Sequence, residues 1–254
     1  RGWGSSTTPP EFEEPPSVNP PAVQSAVVMR DLAAVVEAIR ERRGVDQIAL
    51  VGWATGGHWA AMYASMHPDR VSHLVSLNSL YSVDAPWSLH SAFEDPAAPG
   101  VFDPGAGAYS YRTGPGLVGA WQRSIPGDDP DAWTDPRVIP AYVDAILASD
   151  PTSGEWAPPS VRSPRGFQFD SYQMSRGHRF WDASAIRAAT LVIRGDRDFW
   201  SRPEDLTALG RDLTNAVRVR LVTIPDGTHF LFLDRPERGR QQFLTEVTDW
   251  LRPD

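Results

Sequence analysis

The chain has 254 residues and a formal net charge of −8, an acidic balance that speaks against a nucleic-acid ligand or an anionic membrane surface. It contains no cysteine, which excludes disulfides and thiol catalysis, and all 24 of its basic residues are arginine. No apolar run approaches the roughly 20 residues of a membrane helix, and the length suffices for one large core or a core with an added cap.

Residues 7 to 21 are Pro-rich with an acidic cluster at Glu11, Glu13 and Glu14, the composition of a loop. Val28, Leu32, Val35, Val36 and Ile39 then recur at helical spacing and Gly44 ends the run, which predicts a long amphipathic helix. Gln47 to Val51 is a short apolar run, the pattern of a parallel strand buried on both faces. At Gly52-Trp53-Ala54-Thr55-Gly56-Gly57 the chain turns sharply, and a helix-compatible stretch follows until Pro68 and Asp69 stop it. Val71 to Leu77 reads as another buried strand. Strand, helix, strand in sequence predicts an α/β protein with a mostly parallel, doubly wound sheet and helices on both faces.

Between Tyr81 and Ser184 that rhythm stops, and Pro, Gly and aromatic residues dominate. It resumes at Thr190 to Arg194, a buried strand ending in Gly195-Asp196-Arg197-Asp198. Val217 to Ile224 is a strand by alternation and β-branched content, and it runs into Pro225-Asp226-Gly227-Thr228-His229-Phe230. A helix begins near Pro236, and Phe243, Leu244, Val247, Trp250 and Leu251 give it a packing face.

Gly52 to Gly57 resembles the G-x-S-x-G-G nucleophile elbow of the α/β-hydrolase superfamily, with Ala54 where the serine stands. In such a turn the central side chain is lifted above the sheet, at the positive end of the following helix. Elbows that carry aspartate resemble G-x-D-W-G and usually lack the second glycine, so Thr55-Gly56-Gly57 favours serine as the missing residue. The superfamily's order of nucleophile, acid and histidine implies Asp198 as the acid, with Asp196 supporting the turn, and His229 as the base that passes the proton. The Thr55 N–H would be one oxyanion donor. Arg1-Gly2-Trp3-Gly4-Ser5-Ser6 resembles the R-G-x-G-x-S segment that follows the superfamily's fourth strand. That likeness implies leading strands and a second oxyanion amide ahead of residue 1.

The resemblance also divides the chain, with hydrolase core at 1–80 and 185–254 and a largely helical cap inserted at 81–184. Most of the cap's aromatic residues belong to its own interior; Trp87 and Trp121, with Trp53 and Phe230 of the core, are the expected substrate-binding residues. The other five histidines form no HExxH or close HxH pattern, so neither a metal nor another cofactor is expected. The function implied is hydrolysis of an ester or lactone of a bulky, largely apolar small molecule, macrocyclic lactones included, through an acyl-enzyme. Ala54 then marks an inactive form, either a serine replaced deliberately or a natural loss that leaves a binding protein. An acyltransferase on the same fold is the remaining alternative.

Overall fold

The computed structural model describes residues 1–127 and 129–252. In chain order its elements are α1 (Ser25–Arg43), β1 (Ile48–Trp53), α2 (Thr55–Met66), β2 (Val71–Leu77), α3 (His90–Phe93), β3 (Glu94–Asp95), β4 (Ala98–Phe102), β5 (Tyr109–Thr113) and α4 (Gly114–Ser124). There follow α5 (Val138–Ser149), β6 (Ser160–Pro164), α6 (Gly166–Ser175), β7 (Ala189–Gly195), α7 (Pro203–Asp212), β8 (Val219–Ile224) and α8 (Arg240–Trp250). They fall into two units, one of Met29–Trp87 with Gln173–Asp254, the other of Arg1–Val28 with Ser88–Tyr172.

The first of these is built on a parallel sheet of order β1-β2-β7-β8. The near-continuous apolar runs that predicted strands are what a central parallel strand needs, because helices cover both its faces. Every residue of β7 is buried, and Leu191 and Ile193 share a core with Val75, Leu77, Val222, Ile224, Leu231, Phe243 and Trp250. Helix α8 supplies the last two, as its apolar spacing requires.

One strand departs from expectation. The apolar run at Gln47 to Val51 predicts burial on both faces, yet β1 lies at an edge of the sheet and Val51 is 54 % exposed. Among the described residues β1 pairs with β2 alone, so its second edge has no strand to shield it. Val35 of α1 is likewise 53 % exposed, while Val36 on the neighbouring face is fully buried.

The second unit is irregular by comparison, with helices α4 and α5 and two small antiparallel pairs, β3-β4 and β5-β6. Helix α4 starts where Thr113 Oγ1 accepts from Gly116 N–H at 3.2 Å, with Pro115 in the first turn where its missing N–H costs nothing. The Pro-rich opening residues are part of this unit rather than of the sheet. Ala108 N–H donates to Pro16 O at 2.8 Å, Ala22 N–H to Ala108 O at 3.1 Å and Gly166 N–H to Ala22 O at 2.7 Å. Ser25 closes the weave, donating from its N–H and its hydroxyl to Asp170 Oδ2 at 2.6 and 2.7 Å. A β-carbon on Gly107 would meet Pro16 O at 2.3 Å, so the close approach at that crossing requires glycine.

The unit limits also differ from the expected cap at 81–184. Tyr81 N–H donates to Asp205 Oδ1 at 2.8 Å, and the Arg202 guanidinium donates to the carbonyls of Val83, Ala85 and Ser175. Those backbone contacts hold residues 81–87 and 173–184 in the sheet unit.

Candidate active site

The elbow forms where its flanks predict. Ala54 lies between β1 and α2 at φ 52°, ψ −122°, a positive-φ conformation that costs a residue with a β-carbon on the order of 1–3 kcal/mol. The crowding explains the glycines. A β-carbon on Gly52 would sit 2.3 Å from Gly56 O, and one on Gly57 would sit 2.6 Å from Ser79 Oγ. Gly56 has open space beside it, so the steric demand after Ala54 falls on Gly57. Thr55 opens α2, and its N–H is among the first-turn donors that have no acceptor within a helix.

Two loops meet at the ends of β7 and β8. The turn after β7 carries Asp198, whose side chain is fully buried, and the loop after β8 carries His229, also buried. His229 Nδ1 lies 2.6 Å from Asp198 Oδ1. That contact suits a carboxylate accepting from an Nδ1–H, the tautomer that leaves Nε2 to face away from Asp198. Asp198 is itself held by Trp200 N–H at 3.0 Å, by Ser201 N–H at 2.8 Å and by the Ser201 hydroxyl. Asp196 is exposed and points to Arg197 instead, 4.0 Å from its Nε. The two loops interlock through their backbones, since Arg197 N–H donates to Gly227 O at 3.0 Å and a β-carbon on Gly195 would meet that same oxygen at 2.2 Å.

Four rings surround His229. Centroids of Trp53, Phe199, Phe230 and Trp200 lie 4.9, 4.7, 5.4 and 6.1 Å from the imidazole. Trp53 also donates its indole N–H to His229 O at 2.8 Å, which ties the residue before Ala54 to the histidine loop. Of the expected substrate-binding residues, Trp53 and Phe230 are thus beside the histidine. Trp87 is buried against Trp200, donating to its carbonyl at 2.8 Å, and so buttresses the turn that carries Asp198. Trp121 lies in the other unit, on α4, with 0 % exposure and T-shaped packing against Tyr142 at 6.4 Å between ring centroids.

Sequence reasoning missed several residues that hold these loops. Asp234 Oδ2 accepts from Thr228 N–H at 3.0 Å and from the Thr228 hydroxyl at 2.7 Å, bracing the loop from inside. Asn78 and Ser79, just past β2, reach the other parts of the site: Ser79 donates its hydroxyl to Ala54 O, and Asn78 bonds both loops. The Arg194 guanidinium donates to Asp198 O and Ser201 O at 3.3 and 3.2 Å. Only the positive φ of Asn78, a conformation asparagine tolerates, had a signal in the sequence, as an Asn directly after a strand.

His58, four residues into α2, is fully buried and accepts from Trp181 Nε1 at 3.0 Å. Burial pushes its imidazole down to about 3, so it is neutral. Among the described residues no cluster of three or more His, Cys, Asp or Glu side chains is arranged to hold a metal, and no helix is long and apolar enough to cross a membrane.

A sequence model of the family described as alpha/beta hydrolase fold matches residues 1–112. A 1-acylglycerol-3-phosphate O-acyltransferase of Arabidopsis thaliana is 25% identical over 220 residues, 79% of this chain and 49% of that protein. A poly(3-hydroxyalkanoate) polymerase subunit PhaC of Allochromatium vinosum is 38% identical over 58 residues, 23% of this chain and 16% of that one. The chain therefore spans half or less of the length of these relatives. Among solved structures, a membrane phospholipase A superposes with a TM-score of 0.58 at 19% identity, covering 99% of this chain and 69% of that one. A thermophilic esterase from Thermogutta terrifontis gives 0.55 at 21% identity, covering 99% and 78%. The parallel sheet, the strand-elbow-helix turn and these likenesses agree: the chain is an α/β-hydrolase-fold protein.

Proposed function

We propose that the protein is built to cleave an ester through position 54, with His229 as general base and Asp198 as the acid that orients it. The observation that carries this is the buried His229–Asp198 pair at 2.6 Å, in the same unit as an elbow that holds Ala54 at positive φ. Ala54 supplies no attacking oxygen, so the chain as it stands is the inactive form of such an enzyme.

With a serine at position 54, the hydroxyl attacks the ester carbonyl while His229 Nε2 takes its proton. The Thr55 N–H, at the positive end of α2, stabilises the developing oxyanion. The alcohol leaves with the proton returned by the imidazolium, which Asp198 stabilises. Water, deprotonated by the same nitrogen, then releases the acid. The rings of Trp53, Phe199, Trp200 and Phe230 support a largely apolar ester or lactone as the substrate.

The test compares Ala54→Ser with the chain as it stands, using activated aryl esters of increasing acyl length and a fluorophosphonate probe. Turnover and labelling arise only in the serine form, the difference being on the order of 10⁶-fold in turnover. A serine form that is folded and inert to both reagents refutes the proposal, and tight ligand binding by that inert form would favour a receptor. Acyl transfer to an alcohol is the second reading, favoured by relatives named as an O-acyltransferase and as polymerase subunits. It predicts that added glycerol or another alcohol captures the acyl group in preference to water.

A further inference from the structure

Three consecutive residues at the end of β2 touch all three parts of the candidate site. Leu77 O accepts from Ala54 N–H at 2.8 Å, and Ser79 donates its hydroxyl to Ala54 O, so the elbow is gripped on both sides. Between them Asn78 is fully buried and sits at φ 50°. Its Oδ1 accepts from Gly195 N–H at 2.8 Å, at the root of the acid turn. Its Nδ2 donates to Thr228 O at 3.1 Å and to His229 O at 3.0 Å. One amide thus bridges the acid turn and the histidine loop, using its acceptor on one and both donors on the other.

We infer that Asn78 is a positioning residue, which sets the register of His229 against Asp198 and, through Leu77 and Ser79, against position 54. The inference deepens the hydrolase reading and rests on it for its catalytic arm. The chemistry of the side chain makes the role specific. Aspartate at 78 would keep an acceptor for Gly195 N–H but would set a carboxylate against two carbonyl oxygens. Glycine would accept the backbone conformation and lose all three bonds. A leucine or isoleucine there would bury those carbonyls and that N–H without partners.

The first arm needs no turnover. In the chain as it stands, uniformly labelled with ¹⁵N, the proton between His229 Nδ1 and Asp198 is followed by NMR. N78D releases the histidine loop alone: the shared proton exchanges with solvent at least about tenfold faster, while the Trp200 and Ser201 amides that bind Asp198 hold their shifts. N78G disturbs both sets. In the Ala54→Ser background each variant lowers kcat by about 10- to 100-fold with KM within about twofold, the cost of a misplaced base rather than of lost binding. The inference is overturned if both folded variants leave the shared proton and the His229 titration unchanged. It is equally overturned if N78D moves the Trp200 and Ser201 amides as much as His229, the signature of general loosening. An inert serine form with a disturbed shared proton refutes the hydrolase reading and leaves the positioning role standing.

Discussion

Arg202 and Asp205 offer the sharpest test of the forces that hold residues 81–87 and Ser175 in the sheet unit. The guanidinium donates from Nε and Nη2 to the two oxygens of Asp205, each at 2.8 Å, and both side chains are almost wholly buried. The remaining donors reach Ala85 O at 2.7 Å, Ser175 O at 3.0 Å and Val83 O at 3.0 Å. Arg202→Met keeps the stem and removes five hydrogen bonds, leaving a buried carboxylate and three carbonyls short of partners. A buried pair broken on one side costs about 3–5 kcal/mol, and for a chain of this size each kcal/mol moves Tm by about 2–4 °C. The expected loss is therefore about 4 kcal/mol, or about 8–16 °C. Urea denaturation followed by circular dichroism measures it for Arg202→Met, Asp205→Leu and the double variant. The double variant is expected to recover at least half of the summed loss, because neither charge is then stranded.

The pH dependence supplies a sign. Burial holds the Asp205 carboxyl above its usual range even with Arg202 present, and removing the guanidinium drives it higher. A raised carboxyl binds its proton more readily folded than unfolded, so the deficit of Arg202→Met is largest at neutral pH and shrinks as the pH falls. A loss under about 1 kcal/mol, strict additivity in the double variant or a deficit that grows on acidification would each refute the reasoning.

Three further outcomes are expected. The His58 imidazole is held at about 3, against 6.5 in the unfolded chain, so the unfolded state binds the extra proton between those values. Stability therefore falls as pH drops from 6.5 toward 4, and His58→Phe flattens that slope, as pH-dependent melting will show. Gly195→Ala drives a β-carbon into Gly227 O at 2.2 Å and costs about 1–3 kcal/mol, whereas Gly56→Ala meets open space within a helix and gains up to about 1 kcal/mol. In an active Ala54→Ser background, Asp198→Asn leaves the binding surfaces intact and lowers kcat on the order of 10³- to 10⁴-fold, because an amide can hold the imidazole in the wrong tautomer; a decrease under about tenfold would mean that Asp198 does not orient His229.

The parts of the site legible in the sequence were those with a local chemical demand. Gly52 and Gly57 must be glycine because backbone or hydroxyl atoms lie within 2.6 Å of where a β-carbon would be, and Gly195 for the same reason. That crowding is written into the spacing of the motif. Strand β7 was equally plain, since burial on both faces favours the near-continuous apolar run Leu191-Val192-Ile193, and β2 was marked by Val71, Leu74, Val75 and Leu77 despite its two serines and His73. Asp234 and Arg202 were invisible, and Asn78 showed only its place directly after a strand: their partners lie 6, 117 and 150 residues away, and nothing in a single asparagine marks three bonds that exist only after the sheet has formed. The exposure of β1 follows from its place at an edge of the sheet, because an apolar run records what a strand can bury and not whether a neighbour stands beside it.

The weave of residues 1–28 into the 88–172 unit also bears on how this protein can be re-engineered. The Pro16–Ala108, Ala22–Gly166 and Ser25–Asp170 bonds join stretches separated by the entire elbow, so the unit is discontinuous in the gene. Grafting the 88–172 stretch alone onto another scaffold would bring it in without its closing strap, and a chimaera that exchanges this unit must carry both pieces across together.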